Sequence, residues 1–210
     1  MTAIKICGIT REEDALAVAR CGANAIGLVF YARSPRHVTP ARAADLMRAL
    51  PPFVMSVGLF VDAAASEVTQ TLAQARVDLL QFHGDESPAY CRRFGVPYLK
   101  ALRVRPGVDL LQYALDYRDA KALLLDAYVE GAHGGTGATF DWALIPKKMP
   151  LPVVLSGGLT PLNVATAVRA VRPWAVDVSS GVESPGLANK GIKSAEKIAA
   201  FVTGVRNADV

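Results

Sequence analysis

The sequence predicts a (β/α)8 barrel, an α/β fold built as a single domain over residues 1–210. Three observations predict it. Eight short apolar runs recur about 25 residues apart, the spacing of consecutive β/α units. Amphipathic segments with helix-start signals fill the gaps between them. Polar and glycine-rich residues collect just after the runs, where ligands bind in parallel α/β sheets. A doubly wound open sheet is the alternative. It usually carries fewer strands, and no Gly-x-Gly-x-x-Gly follows the first run.

The candidate strands are Ile4–Cys7, Ala25–Val29, Val54–Phe60, Leu79–Phe82, Tyr98–Leu102, Ala122–Leu125, Val153–Leu155 and Ala175–Val178. Their near-continuous apolar, β-branched character is that of strands buried on both faces. After the first, Thr10 with Glu13 three residues on reads as a capping box opening a helix. Thr39-Pro40, Ser87-Pro88 and Thr160-Pro161 each place a capping hydroxyl before a proline at the first helical position. The last helix is expected to bury Ile192, Ala195, Ile198, Ala199 and Val202, one face of a 3.6-residue period. No low-complexity linker divides the chain.

Composition narrows the function. About half the residues are apolar (51%) and a fifth are charged (20%), as in a globular protein with a sizeable core. The net charge of +4 comes without a Lys/Arg run or aromatic-basic alternation, so nucleic acid is not an indicated partner. A small anionic ligand accounts for a few extra cations. The longest strongly apolar run, Pro51 to Val61, is too short to span a bilayer, and Lys5 and Gly8 interrupt any signal-peptide core. Cys7, Cys21 and Cys91 form neither a disulfide framework nor a metal-ligand pattern, which fits a reducing compartment. The expected location is the cytoplasm, with no membrane contact and no metal.

The strand ends carry the chemistry. Cys7 closes the first strand, and strand period two puts Lys5 on its side, where a cation could lower the thiol pKa. The bland alternative is a buried thiol filling space, the role expected of Cys21 and Cys91 in helical segments. After strand two, Arg36 could bind a carboxylate through its planar fork or be a solvated surface arginine, the commoner case from composition alone, and the solvated reading fits Arg33 better. His83 follows strand four and either contacts a ligand or hydrogen-bonds within the barrel mouth. Asp126 follows three leucines, and a partly desolvated carboxyl can keep a proton for general acid work. Asp177 reads as structural. Gly157 and Gly158 after strand seven, and Ser180 and Gly181 after strand eight, occupy the usual phosphate site of this fold. A glycine-rich loop, Gly131 to Gly137, follows Asp126.

Assembled, these residues resemble the phosphoribosylanthranilate isomerases of tryptophan biosynthesis. The similar stretches are Lys5-Ile-Cys7-Gly-Ile-Thr10, Phe30-Tyr-Ala-Arg-Ser34-Pro35-Arg36, Gln81-Phe-His83-Gly84, Leu125-Asp126, Gly134-Gly-Thr-Gly137 with Phe140-Asp141-Trp142, Leu155-Ser-Gly157-Gly158-Leu159 and Asp177-Val-Ser-Ser180-Gly181-Val-Glu183. They occur in family order and cover nearly the whole chain. The resemblance implies a cofactor-free Amadori rearrangement of N-(5-phosphoribosyl)anthranilate, a phosphorylated small molecule, by a monomer or homodimer. It also implies Asp126 as general acid, Cys7 as general base, Arg36 on the anthranilate carboxylate and the late glycines on the phosphate.

Rival readings lack their residues. The histidine-pathway sugar isomerase has acidic residues at both catalytic strand ends, and strand one here ends in Cys7. Indole-glycerol-phosphate synthase needs a lysine at a central strand end, and strand three here runs into Phe60-Val61-Asp62. A triosephosphate-isomerase-like enzyme would have a glutamate where Asp126 stands. A non-catalytic phosphate-ligand-binding barrel has no need of both Cys7 and Asp126. A thiol-redox enzyme needs a resolving cysteine near Cys7, and neither Cys21 nor Cys91 is obviously placed for it.

Overall fold

The apolar runs do pair as strands. In the computed structural model, which describes residues 1–127 and 139–209, eight parallel strands close into a barrel in sequence order. They are β1 Ala3–Cys7, β2 Ala25–Val29, β3 Met55–Phe60, β4 Leu79–Phe82, β5 Tyr98–Val104, β6 Ala122–Ala127, β7 Val153–Leu155 and β8 Ala175–Val178. Closure comes from β1 pairing with β8, with Lys5 opposite Asp177 and Ile6 opposite Val178. The β7–β8 ladder is short, Val154 opposite Ala175 and Leu155 opposite Val176.

Among the described residues, seven α-helices surround the strands: α1 Glu12–Arg20, α2 Pro40–Arg48, α3 Ala65–Gln74, α4 Pro88–Arg92, α5 Leu110–Asp116, α6 Val164–Val171 and α7 Ala195–Ala208. Between β6 and β7 the described residues form only a 3-10 turn, Trp142–Leu144. Prolines 146, 150 and 152 remove backbone donors in that stretch and exclude an α-helix. The capping hydroxyls of Thr39 and Ser87 accept the backbone N–H groups of Arg42 and Tyr90, as the sequence predicts.

Two start signals are used otherwise. Thr10 does not cap α1; its hydroxyl donates to the Gly191 carbonyl, tying the loop after β1 to the segment after β8. Glu13 pairs with Arg11 instead of reaching back to Thr10. Thr160 opens a turn in which its N–H donates to Asn163 Oδ1, so α6 begins only at Val164. The buried face of α7 is Ile198, Phe201, Val202 and Val205, while Ala195 and Ala199 are exposed and Ile192 precedes the helix. Phe201 and Val205 are the larger apolar side chains, and the helix rotates to bury them.

Strand alternation sorts the core into two compartments. Ile6, Ile26, Leu28, Phe60, Phe82, Leu123, Leu125 and Val176 point outward and pack beneath the helices. Leu99, Ala101, Ala122, Leu124, Val154 and Ala175 point inward and fill the lower barrel. Nearer the strand C-termini, the inward positions Lys5, Gln81, Asp126 and Asp177 are polar and still buried. A polar layer therefore rests on an apolar floor.

Candidate active site

A cavity of about 410 Å³ opens over that polar layer. Cys7, Arg36, Gln81, His83, Asp126, Asp177 and Ser179 all reach it. The sequence places Cys7, Arg36, His83 and Asp126 at separate strand ends, and the barrel brings the four together. The candidate phosphate residues lie at the same end. A Cβ on Gly181 would stand 1.9 Å from the Leu159 carbonyl oxygen, so only glycine lets the loops after β7 and β8 touch. Gly157 has φ +86°, and a Cβ there would meet the Ala127 nitrogen at 2.5 Å and Asp126 Oδ1 at 3.0 Å. Gly157 is thus needed to admit Asp126, whatever else it binds. The loop Gly131 to Gly137 lies outside the described residues.

Cys7 sits in a tight seat. A Cβ on Gly27, its neighbour on β2, would come within 2.6 Å of the thiol sulfur. Burial pushes the Cys7 thiol above its ordinary value, against the opposing charges of Lys5 and Lys193. The expected lowering by Lys5 is present but does not win. Lys5 Nζ is bonded to Asp177 Oδ1 at 2.8 Å, and that carboxylate also raises the thiol. Burial draws the Lys5 ammonium down, but Asp177 and Cys7 outweigh it and hold it above its ordinary value. Asp177 is bonded within the barrel top, to Lys5, and it also lines the cavity. Cys91 is pushed up to about 12 by burial and is an inert packing thiol. Cys21 packs at the C-terminal end of α1.

Asp126 is buried at the top of β6. Its Oδ1 accepts the Ala127 N–H at 2.9 Å, and its Oδ2 lies 3.1 Å from His83 Nε2. His83 Nδ1 lies 2.9 Å from Gln81 Nε2. With the amide donating to Nδ1, the neutral ring carries its proton on Nε2 and donates it to Asp126. Gln81 Oε1 is buried with no hydrogen-bond partner among the described residues. His83 is therefore bonded within the barrel mouth, one of its two expected roles, and it also lines the cavity.

The loop that carries His83 is clamped from behind. Lys100 and Glu86 form a buried ion pair at 2.8 Å. Lys100 also donates to the Gly84 carbonyl. Glu86 accepts the N–H groups of Gly84 and Asp62.

Arg36 is buried, not solvated. Its Nε and Nη2 bond Glu183 Oε1 and Oε2 at 2.6 and 3.0 Å, which leaves Nη1 outside that pair. Arg33 is exposed at the cavity rim. Lys193, which the motifs do not single out, places Nζ 3.1 Å from Glu183 Oε1 and 3.1 Å from the Ser179 carbonyl. A backbone bridge between Glu183 and Lys193 brings it there. One wall is apolar: Val29, Leu59 and Val61 cluster with Cys7, and Tyr31 packs against them. Among the described residues no group of three or more His, Cys, Asp or Glu side chains is arranged to hold a metal.

A closed barrel with a buried thiol, a buried carboxyl and a fixed arginine around one cavity at its C-terminal mouth defines a (β/α)8 barrel of the enzyme type. The chain belongs to the N-(5'-phosphoribosyl)anthranilate isomerase family, whose family model matches residues 4–204. It is 60% identical to the Thiobacillus denitrificans N-(5'-phosphoribosyl)anthranilate isomerase over 200 residues, 95% of this chain and 96% of that protein. The crystal structure of phosphoribosyl anthranilate isomerase from Thermotoga maritima superposes with TM-score 0.88 at 39% identity, covering 99% of this chain and 100% of that one. A second solved phosphoribosyl anthranilate isomerase is in complex with reduced 1-(o-carboxyphenylamino)-1-deoxyribulose 5-phosphate. Its TM-score is 0.85 at 38% identity, with 99% and 100% coverage.

Proposed function

We propose that the chain isomerises N-(5'-phosphoribosyl)anthranilate to 1-(2-carboxyphenylamino)-1-deoxyribulose 5-phosphate, with Asp126 as general acid and Cys7 as general base. The observation that carries the assignment of roles is the pairing of one thiol and one hydrogen-bonded carboxyl on strands β1 and β6 of the same cavity. Asp126 gives its proton to the furanose ring oxygen. The bond from that oxygen to C1 breaks, and the nitrogen lone pair closes a protonated imine. The Cys7 thiolate removes the C2 proton, and that electron pair forms the enolamine. Tautomerisation to the ketone follows, and no proton or electron is gained or lost overall. In the acid form of Asp126 the chain of hydrogen bonds reverses. The carboxyl O–H donates to His83 Nε2, and Nδ1–H donates to a turned Gln81 amide.

The remaining residues match the substrate's parts. The Val29, Leu59, Val61 and Tyr31 wall suits an aromatic ring. Arg36, held by Glu183, presents Nη1 to the ring carboxylate. Gly157, Gly158, Ser180 and Gly181 suit the phosphate, where backbone N–H groups approach closely. We assign the protein to the cytoplasm. All three cysteines are unpaired, and no helix among the described residues is long and apolar enough to cross a membrane.

The test follows anthranilate fluorescence as phosphoribosylanthranilate formed in place is consumed. Wild type turns over, and folded Cys7→Ala and Asp126→Asn variants each lose on the order of 100-fold or more in kcat. Folded wild type without turnover overturns the isomerase reading. Activity surviving in Cys7→Ala removes Cys7 as the base.

A further inference from the structure

We propose that Lys193, acting through Glu183, gives the Arg36 subsite its net positive charge, so that the cavity selects a ligand bearing a carboxylate. The inference rests on the reading of Arg36 as the contact for the ring carboxylate. Lys193 has no exposed side-chain surface, so it is a positioning residue and does not touch the ligand. The argument begins with the arginine. Its stem lies against the backbone at Gly8, where a Cβ would meet Arg36 Cδ at 2.5 Å. Its Nε and Nη2 are bonded to the two oxygens of Glu183. Arg36 lines the cavity, and Nη1 stands outside that pair.

A fork held in this way is well aimed but poorly charged. Arg36 and Glu183 alone would be a neutral pair, with little attraction for a second carboxylate. Lys193 changes the count. Its Nζ lies 3.1 Å from Glu183 Oε1, so one carboxylate is shared by two cations. The cluster carries one surplus positive charge, and one incoming carboxylate brings it to zero. The other charged groups lining the cavity among the described residues are paired elsewhere or solvated. Lys5 and Asp177 are bonded at 2.8 Å. His83 and Asp126 are bonded to each other. Arg33 is exposed at the rim, where its charge is screened.

The surroundings of Lys193 suit its charged form. Its ammonium has three acceptors, one for each proton: Glu183 Oε1, the Ser179 carbonyl at 3.1 Å and Ser179 Oγ at 3.4 Å. Burial lowers the pKa of Lys193, while Glu183 opposes the loss of its proton. Burial would raise the Glu183 carboxyl, but Arg36 and Lys193 outweigh it and keep that group ionised. The Gly191 N–H donates to the same Oε1 at 3.1 Å. A backbone bridge between Glu183 and Lys193 fixes the two side chains on one another. Enclosure keeps the surplus charge effective, because a buried charge is little screened by salt.

The experiment compares two stable ligands that differ by one carboxylate: the borohydride-reduced condensation products of ribose 5-phosphate with anthranilate and with aniline. Titration calorimetry gives the ratio of their dissociation constants in wild type, Lys193→Gln, Lys193→Gln combined with Glu183→Gln, and Arg36→Met, each shown to be folded by circular dichroism. Wild type is expected to prefer the carboxylated ligand on the order of 100-fold. In Lys193→Gln the cluster is neutral, and the preference falls about tenfold. The double variant leaves Arg36 as the one cation, and the preference returns to within about threefold of wild type. A merely structural role would instead make the double variant worse than the single one. An unchanged preference in folded Lys193→Gln overturns the proposal, as does a double variant that discriminates less than Lys193→Gln. Where Lys193→Gln does not fold, the double variant decides alone, and equal binding of the two ligands overturns the proposal. A preference that survived Arg36→Met would remove the arginine reading instead. Binding needs no turnover, so the isomerase reading stands or falls separately.

Discussion

At the scale of single residues, the site depends on absent side chains as much as on present ones. Gly27 is the clearest case, because its lack of a Cβ is what seats the Cys7 sulfur. Its backbone needs no unusual φ, so Gly27→Ala tests space alone. The expected outcome is a folded protein whose kcat falls on the order of 100-fold, since a displacement of about 1 Å at a reacting group costs that much. Far-ultraviolet circular dichroism with steady-state kinetics checks both halves. The strand-end residues were legible in the sequence because barrel position alone marks them: Cys7, Arg36, His83 and Asp126 all reach the cavity. Lys193 was not legible. It stands ten residues beyond Glu183 in an irregular segment, and only the backbone bridge to Glu183 returns it to the site. The Gln81 amide was visible in a motif, but its bond to His83 depends on side-chain geometry that strand period does not supply.

At the scale of elements, the strands were readable almost to the residue, because buried parallel strands are short apolar runs with abrupt ends. The helix starts were less so. Thr10 followed by Glu13 has the spacing of a capping box, yet the hydroxyl finds the Gly191 carbonyl across the barrel. A local pattern cannot reveal a competing partner 181 residues away. The loop after β4 shows the same dependence on distant partners. Its conformation is held by Lys100 on β5 and Glu86, a buried pair. Lys100→Met leaves Glu86 as an uncompensated buried charge. The expected cost is about 3–5 kcal/mol in urea-induced unfolding. A variant that unfolded like wild type would show that Glu86 is satisfied by the backbone N–H groups of Asp62 and Gly84 alone.

At the scale of the whole molecule, the Arg36–Glu183–Lys193 cluster joins the segment after β8 to the loop after β2. Burial alone would raise the Glu183 carboxyl, but Arg36 and Lys193 outweigh it and hold it below the ordinary glutamate range. Its folded pKa is thus lower than its unfolded one. The stability it contributes is present above the unfolded value and is lost as pH falls through the folded value. Unfolding free energy is therefore expected to fall from about pH 5 downward in wild type. The decline should be shallower in Glu183→Gln, measured by urea titration at a series of pH values. Equal slopes in the two proteins would remove the cluster as an acid-sensitive link.

The two register pairs that join β7 to β8 have a mechanical meaning. A closed barrel offers no edge strand, so opening must begin by parting one of its own seams. The seam with the fewest rungs is Val154 with Ala175 and Leu155 with Val176. Its upper end is spanned by the contact of Gly181 with the Leu159 carbonyl. A phosphate gripped by the loops on both sides would act there as a removable rivet. Substrate would then tighten the weakest seam of the barrel for as long as it stays bound, and product release would loosen it again.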